Sequence, residues 1–132
     1  MLYMLDTNIC SYIIRNQPEM VKKKLEEIEK EHELGLSTIV VSELLYGVYK
    51  KGSKKLIEVV KSFIDCFTIY EYDLKAAEEY GKLRAKLEKR GEIIGAYDLQ
   101  IAAHALALKA VLVTNNEREF KKVKNLKIEN WL

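Results

Sequence analysis

Three carboxylates stand among apolar residues, where an unpartnered carboxylate is costly. Asp6 closes the run Leu2-Tyr3-Met4-Leu5 and is followed at once by Thr7 and Asn8. Glu43 has Val40 and Leu44 as near neighbours, and Asp98 is surrounded by Leu99, Ile101 and Ala102. Such groups need a charge partner, hydrogen bonds or a metal ion, and no arginine or lysine lies near Glu43 or Asp98 in sequence. Acids that converge repel one another and favour a hard dication. A ligand set made only of oxygens points to Mg²⁺ or Mn²⁺ over zinc. Short polar side chains collect in a similar place further on, where Ala110-Val111-Leu112-Val113 runs into Thr114-Asn115-Asn116.

The elements that must position these groups alternate between strand and helix. Leu2 to Leu5 reads as a strand, and Thr7 to Arg15 as a short helix with Thr7 or Asn8 near its cap. Pro18 suits the first turn of a charged helix from Glu19 to Glu33. Leu34-Gly35-Leu36 is a brief second strand. Ser37 or Thr38 caps a helix from Ile39 to Lys51 that Gly52 ends, and another runs from Ser53 to Ile64. Cys66 to Tyr70 reads as a buried third strand. Asp73 caps a helix whose Ala76, Tyr80, Leu83 and Leu87 share one face before Gly91 stops it. Tyr97 to Lys109 is helical, Ala110 to Val113 is a fourth strand, Glu117 to Lys122 a short helix and Leu126 to Ile128 a last strand. This alternation predicts an α/β fold with a mostly parallel sheet covered on both faces. In such sheets ligands bind beyond the carboxyl ends of the strands, which is where Asp6 falls.

Composition bounds the function without naming it. The 132 residues suit a single domain, 1–132, with a core that needs no metal or disulfide. Cys10 and Cys66 make no zinc spacing with His32 and His104, so both read as reduced thiols of a cytoplasmic protein. No segment reads as a signal peptide or membrane span. A net charge of +2 is too small to imply nucleic acid by itself.

Four stretches carry a resemblance in both order and spacing. They are Leu5-Asp6-Thr7-Asn8, Ser42-Glu43-Leu44-Leu45-Tyr46-Gly47, the run from Gly95 through Asp98 to Ala105, and Leu112-Val113-Thr114-Asn115-Asn116-Glu117-Arg118-Glu119-Phe120. Together they resemble the PIN-domain ribonucleases, and most closely the VapC-type toxins of prokaryotic toxin–antitoxin pairs, over essentially the whole chain. The resemblance implies a PIN-like three-layer sandwich with a central sheet of four to five strands. It also implies a metal-dependent endoribonuclease in which Asp6, Glu43 and Asp98 bind Mg²⁺ or Mn²⁺. Thr7 and Asn8 would shape the site, with Thr114, Asn116 and Glu119 in support. Many relatives carry a fourth acid shortly after the fourth strand; this chain has Asn116 there, and Glu119 is the nearest carboxylate. The implied products end in 5′ phosphate and 3′ hydroxyl, and the implied partners are a cognate antitoxin and a second copy of the chain. Ile13, Ile14, Leu44, Leu45, Tyr46 and Val48 are candidates for the antitoxin's groove.

Each residue taken alone also has a structural reading. Asp6 can cap a helix, Glu43 can be bonded to backbone, and Asp98 can answer a helix dipole. His104 reads as a core or second-layer histidine, His32 as a solvated helix residue, Cys10 as core, and Tyr46 and Tyr49 as packing more often than as base-stacking platforms. Arg15, Arg84, Arg90 and Arg118 are phosphate-contact candidates that read individually as surface. Two other functions compete. An aspartate-dependent phosphatase of the haloacid-dehalogenase kind wants a second aspartate where Asn8 stands. A degenerate PIN module, binding RNA or protein without cutting, should have lost some of its acids.

Overall fold

The first strand of the chain is the middle of the sheet. In the computed structural model, which describes residues 1–16 and 18–132, β1 (Leu2–Leu5) lies between β2 (Glu33–Ser37) and β4 (Val111–Val113). β3 (Thr68–Tyr70) and β5 (Lys127–Glu129) complete the order β3-β2-β1-β4-β5, with every pair parallel. The chain adds strands on one side of β1 and then on the other. Right-handed crossovers therefore put α1 (Thr7–Arg15), α2 (Glu19–Glu29), α3 (Thr38–Lys51) and α4 (Lys54–Asp65) on one face. The other face receives α5 (Leu74–Lys89), α6 (Ala96–Leu108) and α7 (Glu117–Phe120). Strand order reverses between β1 and β4, and a crevice opens at that point beyond their carboxyl ends.

Local chemistry sets most boundaries. Ser37, Ser53 and Asp73 each accept a backbone N–H at the start of α3, α4 and α5. Gly52 ends α3 at φ 73°, a left-handed conformation that glycine adopts without strain. Gly35 serves a different need, since a Cβ there would stand 2.6 Å from the Tyr70 ring on the neighbouring strand. The core gathers on β1 and β4, where Leu5, Leu112 and Val113 are fully enclosed. α6 is apolar on nearly every side, and Ala102, Ala103 and Ala105 let it lie deep against α5 and the sheet.

Three expectations are corrected. The third strand is not buried: β3 begins at Thr68 and forms a sheet edge with Thr68 and Ile69 exposed. Cys66 belongs to the end of α4 and is itself exposed, because Phe67 packs back on Phe63 and leaves the preceding residue outside. His32 is not on a helix, since α2 stops at Glu29; its ring lies 5.2 Å from that of Tyr3, in the connection to β2.

The short α7 is anchored by Phe120, which is 1% exposed in the main core. Phe120→Ala should cost about 3–5 kcal/mol of folding stability in urea denaturation. A loss below about 1 kcal/mol would mean that this side chain does not fix the segment carrying Asn116 and Glu119.

Candidate active site at the strand switch point

Asp6 leaves β1 directly at the crevice and is only 6% exposed. One carboxylate oxygen, Oδ1, accepts the Ile9 N–H at 3.0 Å and so caps α1. The other, Oδ2, accepts the hydroxyl of Thr114, the residue that follows β4. The capping role of Asp6 leaves a site role open, because its second oxygen is turned to the residue that follows β4. Backbone bonds hold the two sides together, with the Asp6 N–H donating to the Val113 carbonyl at 3.0 Å and the Thr114 N–H to that of Glu129 at 2.9 Å. Burial raises the pKa of Asp6, and the nearby charge of Asp98 adds to the effect; the bonds from Thr114 and Ile9 oppose it.

Asp98 arrives from the opposite face, in the first turn of α6, and is partly buried. Its Oδ2 accepts the side-chain amide of Asn116 at 3.3 Å, and the Asn116 N–H donates to the Thr114 hydroxyl oxygen at 3.0 Å. A continuous chain of bonds thus runs Asp6, Thr114, Asn116, Asp98. Burial raises the pKa of Asp98, with the charge of Glu119 adding to it and the Asn116 bond opposing. Glu119 itself is engaged by Lys122 Nζ at 3.2 Å, an i,i+3 pair at the end of α7. Lys122 also donates to the Ile93 carbonyl at 2.9 Å. That clamp was legible in the spacing but was not singled out.

Glu43 is placed differently. It stands half-exposed on α3 and lines a groove of about 360 Å³ together with Thr7 and Asn8 from the start of α1. Among the described residues, no three of the His, Cys, Asp and Glu side chains are gathered closely enough to enclose an ion. The structure brings together Asp6, Thr114, Asn116, Asp98 and Glu119 on one side, and Glu43, Thr7 and Asn8 on the other. The donor set nonetheless suits a hard cation. Burial makes both acids costly to ionise, with the charge of Asp98 adding to the cost at Asp6 and that of Glu119 to the cost at Asp98; a dication relieves such a cost, and a carboxylate with two oxygens keeps lone pairs beyond the bonds already made.

His104 holds the two acid-bearing helices in register. It is buried on α6, and its Nδ1 lies 2.8 Å from Ser37 Oγ. Ser37 Oγ also accepts the Ile39 N–H, so one hydroxyl joins the ring to the head of α3. The Glu71 backbone also acts on the ring, and Tyr72 meets it edge-on at 5.6 Å. The core reading of His104 stands, but its partner Ser37 is 67 residues away and has no signal in local sequence. Cys10 is fully buried, and burial with the neighbouring Asp6 charge pushes its thiol well up, which removes it as a nucleophile. Of the four arginines, Arg84 and Arg90 are held by Glu88 at 3.0 Å and Glu92 at 2.9 Å. Arg15 lines the groove and Arg118 is exposed on α7 beside Glu119.

The PIN-domain family model matches residues 3–126. The chain is 45% identical over 132 residues to Ribonuclease VapC2 of Rickettsia felis, covering 99% of this chain and 98% of that one. It is 37% identical to the tRNA(fMet)-specific endonuclease VapC of Salmonella typhimurium, covering 98% and 97%. Its fold is similar to that of the VapBC2 structure from Rickettsia felis bound to a promoter DNA fragment, with TM-score 0.88, 46% identity and 100% of both chains covered. The DNA-bound VapBC of Salmonella typhimurium gives TM-score 0.90 at 38% identity, again over 100% of both chains.

Burial lowers the pKa of His104 from its ordinary 6.5, while Asp73 and the Glu71 carbonyl pull the other way. An unfolded chain takes up this proton at about pH 6.5 and the folded chain refuses it until lower pH. The histidine's contribution to stability is therefore complete above pH 6.5 and is lost as pH falls below it. Asp6 and Asp98, raised above 3.8, act in the opposite sense at lower pH. Denaturation at stepped pH should show His104→Gln with a shallower loss of stability than the parent below about pH 6.5. Parallel curves would mean that His104 is not held neutral.

Proposed function

The chain belongs to the PIN-domain family, among its VapC ribonucleases, and we propose that Asp6, Asp98 and Glu43 bind the Mg²⁺ or Mn²⁺ with which it hydrolyses RNA phosphodiester bonds as the toxin of a toxin–antitoxin pair. The observation that carries this reading is the meeting of Asp6 and Asp98 at the switch-point crevice. They come from opposite faces of the sheet, each is burdened by burial, and Asp6 is burdened further by the charge of Asp98. When bound, the ion would lower the pKa of a water, orient it, and offset charge growing on the phosphate. The residues of the chain do the rest. The Thr114 hydroxyl and Ile9 N–H fix the Asp6 carboxylate, and the Asn116 amide turns that of Asp98. Thr7 and Asn8 offer a hydroxyl and an amide to the substrate from the groove wall, beside Glu43. Asn116 takes the part of an orienting group where relatives carry a fourth acid, and Glu119 supports the site from behind Asp98. We read residues 1–132 as a single domain and a homodimer as its working form. No helix is long and apolar enough to cross a membrane, among the described residues, which suits action in the cytoplasm.

Solved neighbours are VapBC complexes, and the groove suits the cognate antitoxin. Ile14, Leu44, Val48, Leu56 and Val60 give it apolar walls, with Glu43 among its lining. An amphipathic segment fits such a trough, and a basic residue from it can enter the acids in place of the ion. Of the six residues proposed for this groove from sequence, Ile14, Leu44 and Val48 line it. Leu45 and Tyr46 do not, Tyr46 being exposed away from it, because the helical period turns them from the face that Leu44 and Val48 share. Ile13 points into the core.

Asp6→Asn and Asp98→Asn should each lower RNA cleavage about a hundredfold or more while leaving the fold intact. EDTA should abolish parent activity, Mg²⁺ or Mn²⁺ should restore it, and zinc should not. Full activity in either variant, freed of contaminating nuclease, would sink the assignment. Gly47, on the groove, has no atom within 4 Å of an added Cβ. Gly47→Leu should thus fold normally and weaken inhibition by the copurifying partner. Undiminished inhibition would place the partner elsewhere.

A further inference from the structure

Tyr46 and Tyr49 were expected to pack, and they do not. They are 62% and 54% exposed on α3, the helix that carries Glu43. Within one chain neither ring is buried by packing. Each has a lysine above its ring: Lys50 Nζ is 5.8 Å from the Tyr46 centroid, and Lys61 Nζ, from α4, is 5.8 Å from that of Tyr49. Tyr46 lies three residues past Glu43 and Tyr49 three further, so each step advances about 4.5 Å along the helix and keeps the side chains on adjoining strips of surface. The row of rings therefore begins one turn from a proposed catalytic acid.

Lysines are frequent in the same stretch of chain. Between Tyr46 and Lys61 the sequence has five lysines against one acid, Glu58, an excess larger than the +2 of the whole chain. Exposed aromatic rings with lysines beside them are the combination that single-stranded nucleic acid uses, with bases stacked on rings and phosphates on mobile cations. Paired RNA hides its base faces and has no use for the rings.

We infer that Tyr46 and Tyr49 form a stacking platform for the unpaired bases of the RNA substrate, with Lys50 and Lys61 taking the adjoining phosphates. This rests on the ribonuclease reading and specifies its substrate as an unpaired segment, such as a loop, laid along α3 toward Glu43. A base that settles on either ring displaces the lysine above it, and the freed ammonium is then within side-chain reach of the neighbouring phosphate.

The experiment is binding of a labelled, unstructured oligoribonucleotide to the full chain in EDTA, where nothing is cut, with cleavage measured separately in Mg²⁺. Tyr46→Ala and Tyr49→Ala should each weaken binding about five- to hundredfold. Tyr46→Trp and Tyr49→Trp, which keep a stacking face, should stay within about twofold of the parent. Lys50→Gln and Lys61→Gln should each flatten the slope of log affinity against log salt by about 0.7. Fully duplex RNA should bind the parent and both alanine variants alike. Both tyrosines are exposed, so thermal melts of the alanine variants should match the parent's. Alanine variants that bind as well as the parent, or a parent that binds no unpaired RNA, would overturn the inference. It would also fall if the alanine variants sediment as a smaller species without RNA, since a second copy would then cover this face. RNA bound through the tyrosines but never cut would leave the platform standing and defeat the nuclease reading; cleavage with no dependence on the tyrosines would do the reverse.

Discussion

The carboxylate of Asp6 is clasped from both sides of the strand reversal, by the Ile9 N–H of α1 and by the hydroxyl of Thr114 at the end of β4. A carboxylate at 6% exposure is costly to ionise, and hydrogen bonds to a charged group recover about 1.5–3 kcal/mol each. The clasp is therefore what allows an acid to sit at the centre of the sheet. The rest of the site hangs from it. Thr114 passes the link to Asn116, and Asn116 turns Asp98 toward the same crevice. On the other face, the same cap begins the helix whose Thr7 and Asn8 share a wall with Glu43.

α6 shows how a helix can be given over to placing one charged residue. Its buried side chains include Leu99, Ile101, Ala102, Ala103 and Ala105, and the alanines let its backbone approach its neighbours closely. Such a helix has little freedom to tilt, and His104 removes more by tying it to the head of α3. Asp98 is consequently held at the crevice by packing far from itself. The strain of two neighbouring acids is absorbed by that rigidity, which fits the general tendency of sites to be less stable than the scaffolds that carry them.

Most of the scaffold was legible in the sequence because it is locally written. Caps at Ser37, Ser53 and Asp73, and stops at Gly52 and Gly91, placed the helices to within a residue or two. The parallel sheet followed from the alternation of elements. What escaped was whatever depends on a distant partner. Nothing local to residues 66 to 70 says that their strand is an edge, and nothing near His32 says that Tyr3 waits for its ring. The acids were picked out by their apolar surroundings, but their grouping was not, since Glu43 joins Thr7 and Asn8 while Asp98 joins Asn116 and Glu119. The exposure of Tyr46 and Tyr49 has no signal of its own either, since an aromatic residue near an apolar run is more often packed than exposed.

The bond between Thr114 and Asp6 joins residues 108 apart, and this separation has a consequence for synthesis. A nascent chain displays Asp6 long before Thr114, and β1 has no β4 beside it until the intervening helices and strands have been made. Pairing across so long an interval must await the whole intervening fold. An interrupted translation product therefore carries the first acid without the strand that clasps it, and messenger breakage or ribosome stalling yields fragments with no assembled crevice. The order of elements along the chain leaves the centre of the sheet open until β4 is made, after every strand on the other side of β1.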